Sequence, residues 1–288
     1  MAANFVAVGV RVPRNIAVFK DTMQWIVGNE ELSKSVAYSQ AHTELYGPGP
    51  VEVNNEALQR LPYTCLVSVS MKRTFQAALE RLKSWPNDKI AVLNFASATI
   101  PGGGVIKGST AQEEALCRCS TLYPCLNTPF LQKEFYQFHQ ERHDTAYTDA
   151  CIWTPRVSII KTDTSEPERL SFQNIKSVNV ISCAAPNLSA LSGGTIEPDR
   201  GISEKELLEM HKARAKKICA IAANHGMDVL ILGAHGTGAF GNPPQIVARA
   251  YKEILPIYSH AFKAVEFAVY CSPGNFKNYE AFEAQFSC

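Results

Sequence analysis

The chain has 288 residues and a mass of 31.7 kDa, which leaves room for one large domain or two small ones. Hydrophobic residues make up 46% of the chain and charged residues 19%. This balance is typical of a folded globular protein and excludes disorder over most of the length. The formal net charge is only +1, which argues against a broad basic face for duplex DNA, because such a face must neutralise many phosphates, but leaves room for a local basic pocket.

No segment has the features of a membrane span or of a secretion signal. The chain contains no run of about 18 apolar residues, and residues 1–15 lack the charged start and the long apolar stretch of a signal peptide. The nine cysteines are odd in number and scattered, which is typical of thiols in a reducing compartment. We therefore expect a monomer that is cytoplasmic, or nuclear in a eukaryote, that is not secreted and that contacts no membrane.

The first predicted element is a helix over residues 16–27, where apolar residues recur at helical spacing. Residues 1–60 have a less regular pattern and are interpreted as an N-terminal helical extension packed on the core. Strands and helices alternate over residues 61–288, the predicted core. The predicted strands are 64–70, 89–96, 157–161, 178–184, 228–233 and 264–271. The predicted helices are 75–82, one that starts near Ala111, 130–142, 203–225 and 243–260.

Continuous apolar strands that alternate with helices predict an α/β fold, in which helices sandwich a mixed, mostly parallel sheet. In such a sheet the ligand site lies outside the carboxyl ends of the strands. Two glycine-rich loops are predicted at that edge, one after strand 89–96 and one after strand 228–233. We therefore expect these two loops to form the binding site.

The first loop carries three successive glycines, Gly102, Gly103 and Gly104. Successive glycines leave the amide donors bare, so that the backbone approaches a ligand closely. The start of the following helix adds a field that favours an anion. The loop therefore predicts a cradle for a diphosphate, although three glycines on their own also make an ordinary flexible turn.

Two carboxylates, Glu113 and Glu114, follow Gln112 at the start of the next predicted helix. Acidic residues are common at such a position because they complement the helix dipole. Beside a phosphate cradle, however, they repel the ligand, and their presence there indicates chemistry. A bound diphosphate raises the pKa of a nearby carboxyl towards the range that suits a general acid.

The second loop, residues 234–244, contains a G-x-G-x-x-G pattern from Gly236 to Gly241. That pattern is typical of dinucleotide-binding folds, which also need an acidic residue about 20 positions further on. Residues 259–263 contain no acidic residue, which disfavours this interpretation. A second phosphate-cradling loop is the plainer one. Phe240 is then either exposed against a sugar or ring, or buried in the core below the loop.

The two loops together resemble the macrodomain-type poly(ADP-ribose) glycohydrolases. The GGG run, the seven-residue spacer and the QEE run look like the signature of that family, and PGGGV, AQEEALCR and GTGAFGNPP are similar to its bacterial (microbial-type) branch. The stretches SCAAPNL and PRNIAVFKDT fit the same branch, so that the resemblance extends over most of the chain. It implies a macrodomain-like fold with an N-terminal helical extension and an ADP-ribose cleft between the two loops.

The resemblance also implies roles for individual residues. Glu114 would be the catalytic acid and base, and Glu113 would hold a hydroxyl of the reacting ribose. Phe240 would position the distal ribose, and the backbone of both loops would contact the diphosphate. The implied substrate-binding residues are Asn94, Gly102, Gly103, Gly104, Gln112, Gly236, Thr237, Gly238, Ala239, Phe240 and Gly241. The resemblance implies no metal and no cofactor.

The implied activity is hydrolysis of the ribose–ribose O-glycosidic bond of poly(ADP-ribose) to release ADP-ribose, with ADP-ribosylated protein or DNA as further partners. The sequence leaves alternatives open. The first alternative is that this chain is a hydrolase of the same fold that removes ADP-ribose from another acceptor, such as a DNA base or a protein side chain. A non-catalytic reader of ADP-ribose gains nothing from two carboxylates beside a diphosphate. A nicotinamide-dependent oxidoreductase lacks the acidic residue that its fingerprint needs.

Three cysteines and two histidines follow Glu113 and Glu114 in the sequence, but their spacing is not that of a zinc finger. They are Cys117, Cys119, Cys125, His139 and His143. On a helix, Cys117 and Cys119 point about 200° apart, so that they do not face one metal. We therefore expect no zinc and interpret the two histidines as a solvated helix face. His235, in the second loop, is either a ligand contact or a structural residue.

Overall fold

A computed structural model describes residues 2–189 and 201–286 and contains a seven-stranded mixed sheet with helices on both faces. The strands are β1 (Glu44–Tyr46), β2 (Leu66–Ser70), β3 (Ile90–Phe95), β4 (Cys151–Ile159), β5 (Lys176–Cys183), β6 (Val229–Leu232) and β7 (Ala264–Ala268). Their order in the sheet is β1-β4-β5-β3-β6-β7-β2. The β1–β4 and β4–β5 pairs are antiparallel and all other pairs are parallel. The predicted fold class is confirmed.

The helices are α1 (Ala2–Val27), α2 (Glu30–Ala41), α3 (Asn55–Leu58), α4 (Thr74–Ser84), α5 (Gln112–Cys119), α6 (Leu122–Leu126), α7 (Pro129–Leu131), α8 (Phe138–Arg142), α9 (Glu204–Asn224), α10 (Pro244–Ile254) and α11 (Lys277–Phe286). Short 3-10 turns lie at Val105–Lys107, Phe172–Asn174 and Leu255–Tyr258, and a π-helical stretch covers Gln132–Gln137. Among the described residues, no helix is both long enough and apolar enough to cross a membrane.

Apolar side chains fill the space on each side of the sheet. Leu93 and Leu230 pack with α9, α10 and α11 on one face. Val92 and Ile231 pack with α4 and α5 on the other. Since neighbouring residues of a strand point to opposite faces and both faces are covered, these strands are apolar throughout. This explains the continuous apolar runs in the sequence.

Helix α1 is longer than the predicted segment 16–27 and packs against α2, α5 and the 3-10 turn Val105–Lys107. Asn15 Nδ2 donates to the carbonyl oxygen of Gly108 at 2.9 Å, and the rings of Phe19 and Tyr123 meet edge to face. The N-terminal helix therefore contacts the segment that joins the first glycine run to α5. The boundary at residue 60 stays a prediction.

The sequence pattern misses the antiparallel edge of the sheet. Strand β4 begins at Cys151 instead of residue 157. A bulge between Thr154 and Val157, where Arg156 has a φ of 54°, interrupts the alternation of its side chains. Strand β1 has only three residues, which is too short to produce a periodic pattern.

Two predicted helices also differ. The segment 243–260 is helical only to Ile254 and continues as a 3-10 turn, because Pro256 has no amide hydrogen for the α-helical ladder. The segment 130–142 is divided into α7, the π-helical stretch and α8. A π turn contains an extra residue, which rotates the side chains that follow.

The prediction that His139 lies on a solvent-exposed helix face is wrong. This residue is 2% exposed. Its Nδ1 lies 2.7 Å from the carbonyl oxygen of Phe135, and its Nε2 lies 2.8 Å from Thr148 Oγ1. The π-helical stretch before it turns the ring inward, and burial lowers its pKa. His143, which ends α8 in a left-handed conformation, is exposed as expected.

Candidate active site

A cavity of about 600 Å³ lies between the two glycine loops, which follow the neighbouring strands β3 and β6. Of the residues expected from the sequence, its wall contains Gly103, Gln112, Glu113, Glu114, Gly236, Thr237, Gly238, Ala239 and Phe240. The other expected residues do not line it: Asn94, Gly102, Gly104 and Gly241. The cavity lies at the carboxyl ends of the parallel strands, where the sequence predicts it.

Gly103 lies directly against the two carboxylates. It has a left-handed φ of 56°, and a Cβ atom there would lie 2.6 Å from Glu114 Oε1 and 3.1 Å from Glu113 Oε2. Both the conformation and the lack of space therefore require glycine. The neighbouring glycines are equally confined: a Cβ on Gly102 would lie 2.8 Å from the ring of Tyr123, and one on Gly104 would collide with Ser109 Oγ.

Glu114 is 7% exposed and lies in the cavity wall at the first turn of α5. Its Oε1 accepts a hydrogen bond of 2.8 Å from the amide of Gly104. Its Oε2 is buried and has no hydrogen-bond partner among the described residues. A buried polar atom without a partner is rare and calls for an explanation. Since Glu114 lines the cavity, we infer that a bound ligand or a proton satisfies this oxygen.

Glu113 is more deeply enclosed. Its Oε1 accepts from Asn94 Nδ2 at 3.2 Å and its Oε2 from the amide of Ser97 at 2.8 Å. Burial raises the pKa of Glu113 to about 8, against the effect of these donors and together with the charge of Glu114. The Glu113 carboxyl therefore keeps its proton at neutral pH. This removes one negative charge from the cavity and lessens the repulsion of a diphosphate.

Gln112 and Asn94 hold the carboxylates in place. Gln112 Oε1 accepts from the amide of Phe95 at 2.8 Å, and its Nε2 donates to Thr74 Oγ1 and to the carbonyl oxygen of Leu93. These bonds tie the start of α5 to the end of β3. Asn94, which is fully buried, donates to Glu113. The sugar contact expected for Asn94 stays a prediction.

The amides of the first glycine run are occupied within the protein. The amide of Gly103 donates to the carbonyl oxygen of Ile100 at 3.0 Å, and that of Gly104 donates to Glu114. The second loop differs. Among the described residues, the amides of Gly238, Ala239 and Phe240 have no acceptor, and all three residues line the cavity. Successive bare amides make an anion-binding concavity. The expected diphosphate contact of the first loop stays a prediction.

The second loop is fixed by a buried amide that sequence reasoning missed. Asn242 Nδ2 donates to the carbonyl oxygens of Pro186 at 2.7 Å and Gly236 at 2.9 Å, and its Oδ1 lies 2.9 Å from His211 Nε2. Burial lowers the pKa of His211 to about 4, so that this imidazole is neutral and donates to Asn242. A Cβ on Gly236 would collide with Ala185, which explains the glycine at the start of the loop.

Phe240 lines the cavity and is half-buried, so it is not a core residue under the loop. Its ring packs against Tyr147 with centroids 6.2 Å apart. His235 is buried, and its Nε2 lies 2.9 Å from the carbonyl oxygen of Cys183. Burial lowers the pKa of His235 to about 3. It is a neutral, structural residue that also borders the cavity.

The cavity wall contains charged residues that the sequence did not single out. They are Arg11, Arg73, Arg118 and Asp163. The only signal that marks any of them is the spacing of Arg118, which follows Glu114 by four residues and so lies on the same face of α5. Arg73 and Asp163 come from loops far apart in sequence, which no local pattern brings together.

The thiols and imidazoles considered for zinc are dispersed. Cys117, Cys119 and Cys125 are buried free thiols, and burial raises the pKa of each. Within the described ranges, no group of three or more metal-ligating side chains could hold a metal ion. These cysteines therefore pack as small apolar residues.

Comparison with known families and structures agrees with this geometry. Residues 21–162 match the family model described as the catalytic domain of microbial-type poly(ADP-ribose) glycohydrolase. A crystal structure of the poly(ADP-ribose) glycohydrolase of Deinococcus radiodurans in complex with ADP-ribose is 32% identical, with a TM-score of 0.72 over 87% of this chain and 96% of that one. The chain belongs to this family. It is therefore a glycosidase of the poly(ADP-ribose) glycohydrolase type.

Two structures of the glycohydrolase of Thermomonospora curvata are similar over a larger share of this chain. The one bound to the inhibitor ADP-HPD is 31% identical with a TM-score of 0.77, and the other is 29% identical with a TM-score of 0.78. Both similarities cover 94% of this chain and 99% of the other. Among curated protein sequences, none matches.

Proposed function

We propose that the enzyme hydrolyses the ribose–ribose O-glycosidic bond of poly(ADP-ribose) with Glu114 as the single acid and base. The observation that carries this proposal is the buried Oε2 of Glu114, which has no partner among the described residues, in a residue that lines the same cavity as Gly238, Ala239 and Phe240. The Deinococcus structure holds ADP-ribose and one Thermomonospora structure holds ADP-HPD, which supports an ADP-ribose ligand in this cavity.

The first step breaks the glycosidic bond. The protonated Glu114 carboxyl gives its proton to the departing ribose oxygen, while the bond between that oxygen and the anomeric carbon breaks and leaves an oxocarbenium-like centre. The amide of Gly104 on Oε1 leaves Oε2 as the oxygen that carries the proton. We assign to Glu113, whose pKa burial raises to about 8, the role of holding a hydroxyl of the reacting ribose.

The second step adds water. The substrate's own diphosphate, held by the amides of Gly238, Ala239 and Phe240, lies close enough to stabilise the developing positive charge. Glu114, now ionised, takes a proton from the attacking water, whose oxygen bonds to the anomeric carbon. The carboxyl is restored to its protonated state. One carboxyl therefore makes both proton transfers, and a second, widely spaced carboxylate is not required.

The proposal includes the binding partners of the enzyme and its cellular compartment. We expect poly(ADP-ribose) to arrive on ADP-ribosylated protein or DNA and the chain to act as a monomer. The eight cysteines among the described residues are free thiols, which fits a reducing compartment such as the cytoplasm. No observation favours a DNA base or a protein side chain as the acceptor over the polymer.

The test is product release from a panel of substrates. Purified enzyme is incubated with automodified poly(ADP-ribosyl)ated protein, with mono-ADP-ribosylated protein and with ADP-ribosylated DNA, and free ADP-ribose is measured by mass spectrometry. We expect the wild-type enzyme to release ADP-ribose from the polymer and the Glu114→Gln variant to release none. Release from only the mono-ADP-ribosylated substrates would assign the enzyme to another acceptor. Binding of ADP-ribose without release from any substrate would make it a reader.

A further inference from the structure

Arg118 is a buried cation in the cavity wall that the mechanism above does not use. It is 5% exposed and lines the cavity. No described carboxylate forms an ion pair with it, and its one side-chain hydrogen bond within the described chain runs from Nη1 to the carbonyl oxygen of Ser109 at 2.5 Å. Burying an unpaired guanidinium is costly. A specific use for the charge or the hydrogen bond is therefore expected.

A short chain of hydrogen bonds leads from Arg118 to the carboxylate. Arg118 holds the carbonyl of Ser109, the amide of Ser109 donates to the carbonyl oxygen of Gly104 at 3.1 Å, and the amide of Gly104 donates to Glu114 Oε1 at 2.8 Å. Glu114 and Arg118 are one helical turn apart on α5, so their Cβ atoms are about 5–6 Å apart. The loop 104–109 closes a ring between the two side chains.

Helix α1 supports the same loop from the other side. Asn15 Nδ2 donates to the carbonyl oxygen of Gly108 at 2.9 Å, and a Cβ on Gly108 would lie 2.6 Å from the carbonyl oxygen of Val12. Thr22 Oγ1 donates to the carbonyl oxygen of Arg118 at 2.5 Å. The loop therefore has a fixed position on its outer side, and Arg118 fixes its inner side.

We propose that Arg118 is a positioning residue for Glu114. Its guanidinium holds Ser109 so that the amide of Gly104 stays on Oε1, and its positive charge faces the carboxylate that forms when Glu114 has given up its proton. This inference depends on the acid–base role proposed for Glu114. Burial lowers the pKa of Arg118, and the charges of Cys119 and Glu114 oppose that shift.

Other ionisable groups near this pair come from every element packed against α5. They are Glu113, Cys117 and Cys119 on α5, Arg11 on α1, Lys107 in the 3-10 turn, Arg73 before α4, Tyr123 on α6, and Lys161 and Asp163 after β4. The thiols stay neutral because burial raises the pKa of each. Arg118 and Lys161 are the buried cations of this set, and Lys161 forms an ion pair with Asp21. Removal of Arg118 therefore takes the unpaired buried positive charge out of the cavity wall that contains Glu114.

The experiment compares Arg118→Met, Arg118→Lys and the wild-type enzyme on poly(ADP-ribose), with Arg249→Met on the exposed side of α10 as control. In Arg118→Met we expect kcat to fall about 10–100-fold, because a small displacement of a catalytic group is costly. In the plot of kcat against pH, the fall in kcat on the alkaline side should occur at a pH about 1 unit higher than in the wild type. The Kd of ADP-ribose should change less than about threefold.

Arg118→Lys keeps the charge but not the planar donor geometry. We expect its alkaline fall in kcat to return to the wild-type pH while kcat stays reduced. If circular dichroism shows that Arg118→Met does not fold, the Lys variant alone decides: a reduced kcat supports the proposal and a wild-type kcat overturns it.

A wild-type kcat and an unmoved alkaline fall in Arg118→Met would overturn the proposal. So would a loss of ADP-ribose affinity equal to the loss of kcat/KM, since that would assign Arg118 to binding. A wild-type enzyme that fails to release ADP-ribose would overturn the proposed function itself and this inference with it.

Discussion

The two glycine loops lie next to each other and look alike in sequence, but their amide hydrogens point to different partners. In the first loop the amides of Gly103 and Gly104 donate within the protein, the second of them to Glu114. In the second loop the amides of Gly238, Ala239 and Phe240 have no acceptor among the described residues. We therefore expect the first loop to position a carboxylate and the second to bind an anion.

The two loops are also held differently. The first contacts α1 and the side chains of α5, which carry the carboxylates themselves. The second is held by hydrogen bonds of the buried Asn242 side-chain amide, which also accepts from the neutral imidazole of His211. Changes in the first loop should therefore act on kcat, and changes in the second on the affinity for ADP-ribose. The predictions below test this division.

The largest effect is expected for Gly103→Ala. The left-handed φ and a Cβ only 2.6 Å from Glu114 Oε1 force the carboxylate to move. We expect kcat to fall at least about 100-fold, with little change in the Kd of ADP-ribose measured by titration calorimetry. Gly47→Ala, where a Cβ meets nothing within 4 Å, is the control. A kcat within twofold of wild type would contradict the role given to the first loop.

The next effect concerns the support of the second loop. Asn242→Ala removes four hydrogen bonds and leaves His211 Nε2 buried without its acceptor, which costs about 1–3 kcal/mol of stability. We expect the Kd of ADP-ribose to rise about 10–50-fold while kcat at saturation stays within about threefold. The exposed Asn174→Ala serves as control. An equal loss in kcat with unchanged Kd would refute the division between the loops.

A smaller effect follows from the ionisation of Glu113. Burial raises the pKa of this carboxyl to about 8, so that a second negative charge appears in the cavity as the pH rises through that value. We expect the Kd of ADP-ribose to rise about tenfold between pH 7 and pH 9. Glu113→Gln should remove this dependence. A Kd that is flat over this range in the wild type would show that Glu113 does not titrate there.

The same shift predicts a pH dependence of stability. The folded-state pKa of Glu113 lies above its ordinary value of 4.5. Its favourable contribution is therefore complete below about pH 4.5 and is lost as the pH rises towards 8, where the loss reaches about 4–5 kcal/mol. The Glu113→Gln variant should lose less stability than wild type between pH 5 and pH 8 in urea titrations. Parallel curves for the two proteins would contradict this.

The smallest effect is expected at the aromatic pair of the second loop. Tyr147 packs against Phe240, and such pairs contribute about 0.5–1.5 kcal/mol. Tyr147→Leu should therefore raise KM only about 2–10-fold. A double-mutant cycle with Phe240→Leu measures the coupling. Strictly additive effects would mean that Tyr147 does not position Phe240.

The sequence predicts the features that are fixed over short distances along the chain. The spacing between Gly103 and Glu114 is local, and both lie where the motif places them. The five strands with parallel neighbours were found because each is a short segment rich in apolar and β-branched residues. Strand β4 was found only in part, since the bulge before Val157 breaks its alternation.

What the sequence does not predict depends on contacts between distant segments. His211 and Asn242 are 31 residues apart and form a bond that neither local pattern marks. The inward turn of His139 depends on a π-helical stretch that leaves no signature in composition. The use of the Gly104 amide by Glu114 is likewise invisible before the fold is known, although it changes the role expected for the first loop.

The most direct test is a crystal structure of Glu114→Gln with ADP-ribose bound. We predict that the diphosphate oxygens lie within about 3 Å of the amides of Gly238, Ala239 and Phe240, that the Gly104 amide stays on the side chain of residue 114, and that the free side-chain atom of this residue faces the anomeric carbon. A diphosphate that makes no contact with the amides of Gly238, Ala239 and Phe240, or a residue 114 turned to bulk solvent, would contradict the account.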